Sequence, residues 1–231
     1  MNKILDLSYV INTAWEAFKK QWVKLSLMVL GLVLSVYCVS LLISVQPPVT
    51  NDAMELLTWY GNNAFTVFLS YGIPSLLQMI IASYIYKEIL SAFKGVQINL
   101  SIDVILRFVV VSFIVSLLSY LSMLMCLIPA FFVMPRLIIA SIYVLDQPAM
   151  SIGQAISASW RDTKGNVINL ILLGLVAIGV SLLGMLACGV GVIPASAFLY
   201  VMMIVIYLVL TGQIGPFTTT ASQDTEEYVV E

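Results

Sequence analysis

Apolar positions recur every three or four residues at the start of the chain: Ile4, Leu7, Ile11, Ala14, Phe18 and Trp22. Lys3, Asp6, Asn12, Glu16, Lys19 and Lys20 fall on the other faces. This is the helical period with one apolar stripe. It predicts an amphipathic helix over residues 4–20, lying in the headgroup region before a membrane span. From Val23 the alternation gives way to unbroken apolar runs. Those at about 23–45, 65–86, 108–127, 131–145, 167–188 and 194–210 predict six transmembrane helices, each facing a hydrocarbon core roughly 30 Å thick.

The breaks between the runs predict how they connect. Gln46-Pro47-Pro48 ends the first, and the loop to Asn63 carries Asp52 and Glu55 with Trp59 and Tyr60 at the next interface. Gly72 and Pro74 predict a kink in the second span. Lys94-Gly95 reads as a turn, with a short helix from about Ser101. Only Ile128-Pro129-Ala130 separates the third run from the fourth, which implies an antiparallel pair. Asp146-Gln147-Pro148 closes the fourth and opens an amphipathic helix, with Pro148 in its first turn and Asp146 or Gln147 as cap. Its apolar stripe is Ile152, Ile156, Trp160 and Thr163. Lys164-Gly165-Asn166 turns the chain into the fifth run, and an uncharged turn from Gly189 to Pro194 leads to the sixth. The expected fold class is therefore all-α: a polytopic membrane protein with six transmembrane helices as three hairpins, 23–86, 108–145 and 167–210, and amphipathic interfacial helices. Residues 1–212 are read as a single transmembrane domain and 213–231 as a disordered acidic tail. Leu25–Val33 and Ile168–Val176 look alike, a short internal repeat.

Charge adds an orientation. Of the 10 Lys and Arg, all but Arg136 fall on one side of the six-span arrangement. By the positive-inside rule that side is cytoplasmic, and both termini lie there. Composition agrees: 61% of residues are hydrophobic and 10% charged, against about a quarter charged in soluble domains, so lipid must cover much of the surface. The first long run follows Lys24 and is longer than the h-region of a secretory signal, which makes it a retained span. These features make the chain a multi-pass membrane protein.

Candidate chemistry is sparse. Histidine is absent, and no Asp or Glu lies in the middle of a run. No catalytic, metal-ligating or cofactor-binding constellation is expected. Cys38, Cys126 and Cys188 sit apart in apolar segments and read as packing residues. Arg136 lies within the fourth run beside Pro135, where a cation normally faces protein, water or headgroups. Gln78 lies within the second span and calls for a partner on a neighbouring helix. Arg136, Gln78 and Asp146 are the candidate structural or ligand site. Gly174, Ala177, Ser181, Gly184 and Cys188 recur at spacings of 3 and 4 and form a candidate helix-packing seam. Ser112, Ser116, Ser119, Met123 and Cys126 form a second seam, of mostly small groups, in the third span.

One stretch carries a resemblance. Arg136-Leu137, Ala140, Asp146, Ala155, Ser159, Trp160, Thr163, Lys164, Gly165 and Asn166, with Pro129 and Pro194 in the outer turns, resemble a bacterial six-helix integral membrane family. That family includes YciC-like inner-membrane proteins and the membrane domain of glycerophosphodiester phosphodiesterases. The resemblance implies a six-helix fold and an inner-membrane location. It supplies no activity, because the phosphodiesterase chemistry belongs to a separate soluble domain. The expected function is a non-enzymatic structural or interaction component of the membrane. Its partners would be membrane lipids and a membrane protein or second copy of the chain, with no nucleic acid and no cofactor. The alternative is a small-molecule or anion transporter or channel subunit with Arg136 in the path.

Overall fold

The computed structural model describes residues 5–215 except 44, 51, 126–132, 138 and 188. The described residues are helical apart from short connections. Helix α1 (Leu7–Ile43) joins the amphipathic segment to the first apolar run. It is bent at Gln21, whose backbone leaves the helical region at φ −135°, ψ 20°. Val10, Ala14, Phe18, Leu25, Val29 and Leu32 form one buried stripe along its length.

Helix α2 (Ala53–Asn62) occupies what the sequence reads as a loop. Asp52 caps it, its carboxylate accepting from the Met54 N–H at 2.9 Å, and Glu55 follows in the first turn, where a negative charge favours the helix. Helix α3 (Ala64–Lys94) runs through Pro74 and continues past Tyr86, where the sequence placed its exit. Gly95 ends it in the left-handed region at φ 65°, which glycine adopts at no steric cost.

Helix α4 (Ile102–Met125) merges the short helix expected from Ser101 with the third run. The fourth run, 131–145, falls partly outside the described residues. What is described is a helical turn at 133–137 and a short helix, α5 (Ala140–Asp146), entered through a non-helical Ile139. Helix α6 (Ile152–Asp162) starts later than expected. Its cap is Ser151, which exchanges hydrogen bonds with Gln154 in a reciprocal capping box, while Pro148 stays in the preceding turn.

Helix α7 (Val167–Leu186) and helix α8 (Val192–Thr211) are joined by a turn through Gly189 (φ 78°). They approach closely where Gly184 meets Gly191. A Cβ on Gly184 would lie 2.8 Å from the Gly191 carbonyl oxygen and 2.9 Å from the Ala195 Cβ.

Among the described residues, five helices are long and apolar enough to cross a membrane: α1, α3, α4, α7 and α8. Half of the apolar stretch of α8 is buried, against between 6% and 22% for the other four. So α8 is the axis, and its neighbours turn apolar faces outward. From Val201 to Leu210 every residue of α8 except Met203 and Val209 is buried. It is covered by α1, α3 and α7. The amphipathic stripe of α1 therefore finds its apolar partner within the chain. Phe18 meets Phe198 edge to face at 5.9 Å and Trp15 meets it at 6.0 Å, a geometry the ring quadrupoles favour. Lys19 and Lys20 remain on the exposed face.

The boundary expected after Gly212 is not sharp. Gln213 donates its N–H to the Leu208 carbonyl at 2.8 Å, and Ile214 packs against the core. The remainder of the acidic tail, 216–231, lies outside the described residues.

Candidate functional site

The polar side chains that converge lie where α5 ends. Asp146 is the last residue of α5, where the carbonyl ends of a helix disfavour a negative charge. Its side chain is 3% exposed. A buried carboxylate is tolerated only when paired and hydrogen-bonded. Three donors from two other parts of the chain meet that need. The Lys94 ammonium, at the end of α3, pairs with Oδ1. The Tyr207 hydroxyl, within α8, donates to Oδ2 at 2.6 Å. The Gln213 amide donates to the same oxygen at 3.0 Å.

A second carboxylate, Asp162 at the end of α6, is held by Tyr143, one turn before Asp146 on α5. The Tyr143 hydroxyl donates to Asp162 Oδ2, and Arg161 Nε donates to Asp162 Oδ1 at 2.9 Å. The hydrogen bond to Asp162, and then its charge, raises the Arg161 guanidinium above its ordinary pKa. Tyr143 and Tyr207 connect the two groups, their rings meeting edge to face at 5.0 Å. Nearby, Arg107 donates to the Pro148 carbonyl at 3.1 Å and pairs with Asp103 one turn before it. The Tyr143–Asp162 bond ties α5 to α6, and the Arg107–Pro148 bond ties α4 to the turn before α6.

The N-terminus is fastened at the basic turn singled out from sequence. The Leu5 N–H donates to Asn166 Oδ1 at 2.8 Å, and the Asn169 amide donates to the Leu5 carbonyl at 2.8 Å. Leu5 is buried, so two asparagines hold both backbone groups of a residue that has left water.

Arg136 sits elsewhere. Its guanidinium stacks on the Trp160 ring of α6, 4.6 Å from the centroid. The Ser159 hydroxyl donates to the Arg136 carbonyl at 2.6 Å. Its Nε is buried with no hydrogen-bond partner among the described residues. Thus α6 packs against the arginine segment through adjacent residues, Ser159 and Trp160. Asp162 is close in sequence but is taken by Tyr143 and Arg161.

The three candidate residues do not converge. Asp146 joins Lys94, Tyr207 and Gln213; Arg136 joins Ser159 and Trp160. Gln78 is exposed on α3 and has no hydrogen-bond partner among the described residues, so the neighbouring-helix partner expected for it is not found there. Of the seam on α7, only Gly184 makes a close approach. Ala177 packs at the edge of the core, Gly174 faces open space, and Ser181 bonds to its own helix at the Ala177 carbonyl, 2.8 Å away. Cys188 lies outside the described residues. On α4, Ser119 likewise donates to its own helix, at the Val115 carbonyl.

Sequence reasoning passed over Lys94, Tyr207, Gln213 and Tyr143 as site residues. Tyr207 carried one signal: a hydroxyl inside an otherwise unbroken apolar run needs a partner. Lys94 was read only as part of a turn. Comparison with known proteins finds no matching family model, no matching curated protein and no matching solved structure.

Proposed function

We propose that this chain is a six-span protein of the bacterial cytoplasmic membrane, built as three hairpins with both termini in the cytoplasm, acting as a non-enzymatic structural or interaction component. The resemblance to YciC-like inner-membrane proteins and to the membrane domain of glycerophosphodiester phosphodiesterases belongs to the same proposal. The observation that carries the functional reading is the Asp146 cluster. Its carboxylate is occupied by intramolecular donors from α3, from α8 and from the segment after α8. Groups arranged this way hold helices together rather than await a substrate.

Two observations support six crossings. Helix α4 leaves from Ile102 and extends for 24 residues, about 36 Å at the helical rise. Yet Pro148 is back beside Arg107 in its second turn, so Met125 and Pro148 lie at opposite ends of α4. The Leu5–Asn166, Lys94–Asp146 and Arg107–Pro148 contacts each join segments that the positive-inside rule assigns to one side.

The test is crosslinking in native membranes followed by mass spectrometry. The expected result is reproducible crosslinks to one membrane protein or to a second copy of the chain. The rival reading, an anion transporter or channel subunit, draws on the unpartnered Nε of Arg136. Substrate-dependent flux in proteoliposomes, abolished by Arg136→Gln, would displace the interaction reading.

A further inference from the structure

A cleft lies at the bend of α1, and its lining shares no residue with the Asp146 cluster. It has a volume of about 880 Å³ and is bounded by the bend and by the end of α3. Six consecutive residues of α1, Lys19–Lys24, line it. Successive residues of a straight helix point about 100° apart, so six in a row cannot face one space. They do so here because the backbone departs from the helix at Gln21. The bend makes the cleft and gathers Lys19, Lys20 and Lys24 around it.

The lining has two halves of different chemistry. Lys19 and Lys20 are exposed and form no ion pair among the described residues. Lys24 pairs with Glu88 across the cleft, which fixes the Lys24 ammonium between α1 and α3. The glutamate thus offsets one of three cations. Between and after the lysines the wall is apolar, with Trp22, Val23 and Leu27 exposed where the apolar run of α1 starts. Cations beside an exposed apolar wall suit the boundary between headgroups and hydrocarbon.

We propose that this cleft is a discrete binding site for a phosphate ester, and that its natural occupant is the headgroup of an anionic phospholipid. Each lysine ammonium presents three donors and a full charge on a flexible stem, which suits a phosphate oxyanion. Basic pockets between helices at the membrane surface are places where such headgroups bind. The Trp22, Val23 and Leu27 wall covers the first carbons of an acyl chain, and a free phosphate has no use for it. The proposal rests on the chain being embedded in a membrane and is independent of the interaction role.

A bulk annulus of anionic lipid would respond to any basic residue at that end of the molecule, whereas a site responds only to its own. The purified full-length chain in neutral detergent is titrated with phosphatidylglycerol, phosphatidylcholine or glycerol 3-phosphate, reading thermal unfolding and lipid adducts by native mass spectrometry. Wild type is expected to retain one phosphatidylglycerol and to melt higher with it. The double variant Lys19→Gln with Lys20→Gln should bind it roughly thirtyfold more weakly, the loss expected for two surface lysines. Both residues are exposed, and unfolding without lipid verifies that the fold persists. The matched control, Lys87→Gln with Lys164→Gln, removes the same charge outside the cleft and should bind as wild type does. A response to phosphatidylglycerol alone identifies a lipid site. An equal response to glycerol 3-phosphate overturns the lipid assignment in favour of a soluble phosphate ester. No selective response to either, or equal loss in both double variants, overturns the site altogether.

Discussion

Asp146 at the end of α5 and Tyr207 within α8 are joined by a 2.6 Å hydrogen bond across 61 positions of the chain. Tyr207 lies in the most buried part of the central helix, and its hydroxyl reaches a carboxylate that also holds Lys94. The contact links the axis of the bundle to the segment that returns from α4, and that segment to α3.

Loss of Asp146 removes the acceptor of the buried Tyr207 hydroxyl, whereas loss of that hydroxyl leaves Asp146 with Lys94 and Gln213. Asp146→Ala is expected to destabilise by about 3–5 kcal/mol, because the desolvation of the remaining groups is no longer offset. Tyr207→Phe should cost less, about 1–3 kcal/mol. Unfolding in detergent, followed by tryptophan fluorescence, ranks the two. A cycle combining Asp146→Asn with Lys94→Gln should show coupling of about 0.5–3 kcal/mol; strict additivity would mean the pair is not formed.

Two glycines of one seam should behave in opposite ways. Gly184→Ala places a Cβ 2.8 Å from the Gly191 carbonyl oxygen, and the short turn leaves little room to shift. A loss of about 1–3 kcal/mol follows. Gly174→Ala meets nothing within 4 Å and should be neutral or stabilising by up to about 1 kcal/mol, as for alanine in a helix. Equal effects at the two positions would contradict the packing of α7 on α8.

Arg136 and Trp160 form a cation–π contact at 4.6 Å. Trp160 is 42% exposed, so the coupling should be modest, about 0.5–1 kcal/mol. Arg136→Lys keeps charge but loses the planar stack and should recover only part of it. The Arg136→Gln, Trp160→Ala cycle measures the coupling directly. A value near zero would show that the arginine is held by something other than Trp160.

Sidedness is open to cysteine labelling in a cysteine-free background. Asp52→Cys and Val190→Cys should react with a membrane-impermeant reagent added from outside whole cells. Lys94→Cys and Lys164→Cys should react only after the membrane is opened. Val190 is the better probe of the α7–α8 turn, since it is exposed whereas Gly191 is packed against Gly184. Reaction of position 164 in intact cells would invert the proposed orientation.

Much of the helical layout was legible in the residues themselves. Helix period, run length and turn chemistry are local, so the amphipathic start, the turn at Gly95 and the apolar runs of α1, α3, α4, α7 and α8 could be read directly. Helix α2 was readable too: Asp52 with Glu55 three positions on is a capping pattern, passed over because the segment is short. The start of α6 was misplaced for a similar reason. Pro148 and Ser151 both offer helix starts, and the reciprocal bonds with Gln154 decide for Ser151.

What the chain alone determined, then, is that several long apolar helices must leave water, and where the turns between them fall. Only the tertiary structure decided which of them meet. It bent α1 at Gln21, made α8 the axis, and gave Asp146 to Lys94 and Tyr207 rather than to Arg136. The physical reason is that burial and hydrogen bonding act between surfaces brought together across the whole chain. A carboxylate at position 146 announces a need for donors, but only packing specifies which side chains arrive within reach.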